Sequence, residues 1–196
     1  MTDHAPGGLR EAKKRELREQ IRAAAIDLFT TRGYQQTTLE QIAAAVRIGP
    51  RTLYRYFPAK DSLVITDEDD QAMLDRFTRE LAQHPPIEAL RRAFHAMLFD
   101  AETESDRRRR TLIAAEPELQ AAQLRLVIDL AERYAQAIVE HTGHPEDAEA
   151  ALSLTGAAAG IALVTIRSDR HEAKTTQLRR FDAALKRLQD GFDLHA

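Results

Sequence analysis

Residues 37–60, TTLEQIAAAVRIGPRTLYRYFPAK, decide the fold. Glu40 stands three residues after Thr37, and Gln41 three after Thr38. Either pair can form a capping box, in which the threonine oxygen accepts from a backbone N–H and the longer side chain reaches back. Leu39, Ile42, Ala43 and Val46 then share one face of a short helix over 39–46. Arg47-Ile48-Gly49-Pro50 interrupts it. Gly49 is acceptable as an N-cap, and Pro50 fits the first position of a new helix, where its missing N–H is harmless. That helix covers 50–56, and Pro58 ends it. Two short helices around a tight turn, the second of about seven residues, read as a helix-turn-helix.

The second helix is unusual in what it displays. Leu53 and Phe57, four apart, face inward, which leaves Arg51, Thr52, Tyr54, Arg55 and Tyr56 largely outward. Arginine forks match guanine edges, and tyrosine and threonine hydroxyls bond phosphate oxygens. Lys60 adds a cation beside that surface, and the small Ala43 and Ala44 let two helices cross closely. The alternative, tyrosines half-buried in packing and arginines merely solvated, serves any single residue equally well. It serves the ensemble poorly, so this surface is expected to meet duplex DNA with the second helix in the major groove.

Outward from this core the pattern stays helical. Leu17, Ile21, Ala24, Ala25, Leu28 and Phe29 form one stripe of a helix over 10–32, and Gly33 follows where a left-handed cap belongs. Further helices are expected near 59–82, 87–102, 107–115, 118–141, 146–168 and 173–191, broken at Pro85-Pro86, around Glu104–Asp106, at Pro117, at Gly143 with Pro145, and at 168–170. No stretch alternates as a strand does. The class is therefore all-α. An N-terminal three-helix DNA-binding domain is expected over 10–58, and a helical ligand-binding and dimerisation domain over 59–196.

Composition narrows the function. The absence of cysteine removes disulfides, thiolate metal sites and cysteine nucleophiles together. No unbroken apolar run reaches the roughly 18–20 residues that span a bilayer, and the polar start has no apolar h-region, so a cytoplasmic protein without membrane attachment is expected. The net charge of −3 is uneven. Residues 1–66 carry 11 Lys/Arg against 7 Asp/Glu, and the remainder 17 against 24. A basic end on an acidic body suits a chain whose N-terminus meets an anion.

Over residues 17–65 the chain resembles the DNA-binding segment of the TetR family of repressors. The resemblance rests on Ala24-Ala25, Leu28-Phe29, Gly33-Tyr34, Thr37-Thr38, Ile42-Ala43 and the run Thr52-Leu-Tyr-Arg-Tyr-Phe-Pro-Ala-Lys-Asp-Ser-Leu63. It covers about a quarter of the chain and is dense there. It implies a homodimer of nine- or ten-helix protomers that binds a palindromic DNA operator and answers to a small-molecule effector. By position, Thr38 and Lys60 resemble the family's phosphate contacts, and Arg51, Thr52, Tyr54 and Tyr56 its recognition-helix contacts; Arg55 lies among them. Where members often carry Gly-Val-Ser, this chain has Arg47-Ile48-Gly49. An arginine there is tolerable unless the backbone needs a positive φ, and Arg47 can add a phosphate contact.

The rest of the chain is less specific. Phe77, Phe94, Met97, Leu98, Leu112, Leu124, Ile128 and Tyr134 supply large apolar side chains for an effector pocket, although each alone is equally a core residue. Gly156–Gly160 with Ile161, Leu163 and Val164 permits close helix approach, and Leu178, Phe181, Leu185, Leu188 and Phe192 repeat at helical steps; both are expected at a dimer face, the alternative being intrachain core. Residues 109–119, RRTLIAAEPEL, resemble a subgroup of the family linked to acyl-thioester ligands, which suggests an apolar tail with an anionic head near Arg107–Arg110. No cofactor is expected, and His141 and His144 beside Glu140 are read as a helix end and not as a metal site. Two other classes stay open: a small helical enzyme using His95 or Tyr134, and a helical protein that binds a partner protein.

Overall fold

A computed structural model describes residues 6–65, 69–99, 104–168 and 174–191. Among them every regular element is helical: α1 (Pro6–Arg32), α2 (Leu39–Ala45), α3 (Pro50–Tyr56), α4 (Asp69–Leu81), α5 (Pro86–Phe99), α6 (Glu104–Ala115), α7 (Pro117–Thr142), α8 (Ala148–Ser168) and α9 (Lys174–Asp190), with single 3-10 turns at Asp61–Leu63 and Pro145–Asp147. The chain divides into two compact units, one of residues up to 66 with 102–124, the other of 67–101 with 125–196.

The first unit is built around α1. Ile21, Ala25, Ile26 and Phe29 are buried against Ile42 and Ala43 of α2, Leu53 of α3 and Phe57, the residue that caps α3. Gly33 closes α1 at φ +91, its N–H on the Phe29 carbonyl, as a left-handed cap requires. Leu112 of α6 and Leu119 of α7 complete the same core. The single helix expected from 59 to 82 is corrected: the chain makes one 3-10 turn at Asp61–Leu63, residues 64–65 are not helical, and α4 is described over Asp69–Leu81. Leu63 and Val64 are both fully buried in the first core. The 3-10 turn delivers both into that core, with the Val64 and Ile65 N–H groups sharing the Asp61 carbonyl at 2.9 and 2.8 Å.

In the second unit, Phe77 and Leu81 of α4 pack with Ala89 and Ala93 of α5, Tyr134, Ala135 and Ile138 of α7, and Ala151 of α8. The Phe77 and Tyr134 rings meet at 4.7 Å. Phe94 stacks on Phe181 at 3.8 Å, beside Ala158 and Leu185, and so joins α5, α8 and α9. Thr155 donates its hydroxyl to the Ala131 carbonyl at 2.8 Å, fixing α8 on α7. Residues Pro145–Thr165 are long and apolar enough to cross a membrane by length and composition, although no unbroken apolar run has that length. Within this stretch Thr155 and Ala158 are core residues of the unit.

Candidate nucleic-acid interface

The two threonines before α2 divide their work. Thr38 is the N-cap, in extended backbone; its hydroxyl accepts from the Gln41 N–H at 3.3 Å, and the Gln41 side chain accepts from the Thr38 N–H at 3.0 Å. Of the two boxes left open, this one forms. Thr37 is buried and donates to the Gly33 carbonyl at 2.9 Å, pinning the loop after α1. Glu40 plays no part in the box and lies exposed in the first turn of α2. There it accepts the Tyr54 hydroxyl at 3.0 Å. Its own backbone N–H first, then the Tyr54 and Thr38 hydroxyls, hold the Glu40 carboxyl below its ordinary range, and the same bond pushes the Tyr54 phenol up.

The turn is a Schellman motif. The Arg47 N–H bonds the Ala44 carbonyl at 3.1 Å and the Ile48 N–H bonds the Ala43 carbonyl at 3.0 Å. This geometry demands a left-handed residue, and Arg47 takes it at φ +58. The condition under which arginine would be unfavourable is therefore met. A side chain in that conformation costs roughly 1–2 kcal/mol, held here by the helices on either side.

α3 starts on Gly49, which has no side-chain cap, with Pro50 at its first position. Leu53 and Phe57 are buried, and the guanidinium groups of Arg18 and Arg22 lie over the Phe57 ring at 5.3 and 5.8 Å. Arg51, Tyr54 and Arg55 are exposed; Thr52 and Tyr56 are half-buried. Tyr56 packs on the core while Arg55 covers its ring at 5.4 Å. Thr38 and Arg47 are exposed. Lys60 is half-buried with its ammonium over the Tyr34 ring. All eight expected DNA-contact residues thus lie in one unit. Sequence reasoning missed Glu40, assigned only a possible capping role, and the brace of Arg18 and Arg22. The four-residue spacing of those arginines on α1 was the available signal.

The expected effector residues are placed less uniformly. Phe77 and Tyr134 are buried together, and the Tyr134 hydroxyl is buried without a hydrogen-bond partner among the described residues. Phe94 is buried against Phe181. Leu112 belongs to the first core, and Leu124 and Ile128 are half exposed, at 51% and 50%. The side chains of Met97 and Leu98 lie outside the described residues. In the arginine run, Arg107 pairs with Glu104 at 3.3 Å and Arg108 with Asp27 at 3.7 Å. Leu178, Phe181 and Leu185 pack in the chain's own core, so these three residues of the α9 stripe are intrachain; Leu188 is half-buried, and Phe192 lies outside the described residues. His95, a catalytic candidate under the enzyme alternative, holds Asp182 at 2.6 Å, joining α5 to α9.

Two family models match the chain: "Bacterial regulatory proteins, tetR family" over residues 21–66, and "MftR C-terminal domain" over residues 84–193, more than half of the chain. The regulator TcmR of Streptomyces glaucescens is 39% identical over 99 residues, half of this chain and 43% of TcmR. The regulator MftR of Mycobacterium tuberculosis is 30% identical over 129 residues, 63% of this chain and 64% of MftR. The chain thus spans less than two thirds of either relative. A transcriptional regulator of Aquifex aeolicus VF5, known from its crystal structure, shares the fold with a TM-score of 0.54 at 16% identity, covering 87% of this chain and 98% of that one. These are regulators and not enzymes, and the chain belongs to the TetR family of bacterial regulatory proteins.

Proposed function

We propose that this chain is a cytoplasmic transcriptional repressor that binds an inverted-repeat operator as a homodimer and leaves it when a small apolar or amphipathic effector binds. The observation that carries the reading is the face of α3. Arg51, Tyr54 and Arg55 stand exposed on a helix whose buried Leu53 and Phe57 share a core with Ile42 of α2 and Phe29 of α1. The two arginines are able to grip phosphates and base edges, and Tyr54, whose hydroxyl donates to Glu40, faces the same surface. Thr38, Arg47 and Lys60 extend the surface toward the DNA backbone.

Dimerisation would hold two such helices roughly 34–36 Å apart, one turn of DNA. α8 supports it: Leu152 and Val164 are 47% and 64% exposed, and Gly156 and Gly160 are exposed between them at four-residue steps. The effector would bind the second unit, with Phe77, Phe94 and Tyr134 among its apolar neighbours. A buried tyrosine hydroxyl with no partner offers such a ligand a polar handle. An acyl thioester fits the resemblance at 109–119. Whatever its identity, it shifts the dimer off DNA only by binding the released state more tightly than the bound one.

Selection from random duplex DNA at two salt concentrations tests the reading. A single inverted repeat, bound more weakly as salt rises, is expected. No enrichment at low salt from effector-stripped protein would refute it. Titration calorimetry with a fatty acyl thioester tests the effector class; absence of heat, with no release from the operator, removes it.

A further inference from the structure

The Tyr54–Glu40 pair changes what α3 can read. A phenol has one proton, and Tyr54 commits it to Glu40 at 3.0 Å. What remains at this point of the surface is a carboxylate and the lone pairs of a phenol oxygen, all acceptors. Phosphate oxygens are acceptors too, and so are guanine N7 and O6 and thymine O4. In the major groove only two groups donate, the cytosine N4 amine and the adenine N6 amine. Adenine places its N7 acceptor beside that amine, where it would oppose the second carboxylate oxygen. Cytosine places only a C–H there.

The carboxylate is also held in place. Glu40 sits in the first turn of α2, where the helix dipole favours a negative charge, and the capping box of Thr38 and Gln41 fixes that turn. Tyr54 ties it across to α3, and both residues are exposed. We infer that Glu40, oriented by Tyr54, is a specificity-determining residue that selects a cytosine in each half-site and excludes phosphate from this point of the surface. This rests on the DNA-binding reading above.

Operator selection with the full-length wild type, E40A, E40Q and Y54F tests it. The wild type is expected to show one cytosine per half-site that E40A no longer selects, a loss of about ten-fold in discrimination at that position. E40Q, whose amide both donates and accepts, is expected to shift the preference there to adenine. Y54F is expected to weaken the cytosine preference, and E40A/Y54F to add nothing at that position beyond E40A. Binding to non-cognate duplex should rise in E40A and E40Q, because a negative charge has left the DNA face. A carboxylate that only braced α3 would give the opposite, a uniform loss on every sequence. That outcome, or an E40A protein that selects the same repeat with unchanged discrimination at every position, overturns the inference. A wild type that selects no repeat removes the DNA-binding reading itself.

Discussion

The Lys60 ammonium stands 4.2 Å from the centroid of the Tyr34 ring, and 5.8 Å from that of Phe29. Burial lowers its pKa, while Glu118 and Glu116 oppose that shift. Below it, the Tyr34 hydroxyl is buried without a partner among the described residues, and burial pushes its pKa up. The cation therefore completes the core of the first unit as well as its positive surface. Lys60→Ala should lower stability by about 1 kcal/mol, as expected for a partly desolvated cation over a ring. It should also weaken binding to all DNA sequences and reduce the salt slope by about 1 per protomer. Urea unfolding and a salt series on the operator check the two effects separately. Unchanged DNA binding at physiological salt would leave Lys60 a role in the core alone.

Arg47 holds the left-handed position of a Schellman turn that glycine fills without strain. Arg47→Gly should raise stability by roughly 1 kcal/mol, the relief of strain exceeding the entropy cost of glycine. Arg47→Ala keeps the Cβ and should show no such gain. Thermal unfolding of both variants checks the strain. If both lower the salt slope on DNA equally, the guanidinium contacts phosphate; a destabilised glycine variant would mean the turn stores no strain at Arg47.

The first three helices were legible because local chemistry marks most of their ends: Gly33, Gly49-Pro50 and Pro58 were read directly, whereas the choice of Thr38 over Thr37 and the start of α1 at Pro6 in place of 10 came only from the structure. The break between Asp61–Leu63 and α4 was not, because Leu63 and Val64 continue a helical-looking pattern and only the tertiary core shows that both are buried. Periodicity likewise marks Leu112 as inward-facing without saying which core receives it, and α6 delivers it to the first. Phe181 and Leu185 repeat the lesson on α9: an apolar stripe predicts burial, whereas its occupant, here Phe94 of the same chain, is a tertiary fact. Glu40 and Tyr54 are fourteen residues apart on different helices, and no sequence period joins them.

Glu88 offers a pH test. Arg91 grips both its oxygens, at 2.6 and 2.8 Å, and Arg92 adds a contact at 2.9 Å. The Arg91 hydrogen bonds foremost, against the opposing effect of burial, hold the Glu88 carboxyl down at about 2 from an ordinary 4.5. A carboxyl depressed in the folded state stabilises it fully above pH 4.5, and that contribution disappears as pH falls through about 2. Solvent screening of this partly exposed cluster limits it to about 1 kcal/mol. The wild type should therefore lose stability over this window more steeply than Glu88→Gln. Equal slopes in urea unfolding between pH 5 and roughly 2 would show that the cluster contributes nothing.

The exposed glycines of α8 separate protomer stability from association. A Cβ placed at Gly160 meets nothing within 4 Å, so a side chain there causes no clash in the protomer. Glycine inside a helix is disfavoured, and Gly160→Leu should stabilise the helix by about 1 kcal/mol. If Gly160 lies where α8 approaches its counterpart in a second copy, the added leucine holds the helices apart, because packed surfaces do not absorb a side chain without strain. The expected result is a more helical protein that sediments as a monomer and binds a full operator far more weakly than the wild type, since two half-sites are no longer held in register. A Gly160→Leu protein that remains a dimer with unchanged operator affinity places the interface elsewhere, and leaves the exposed face of α8 without a part in dimerisation.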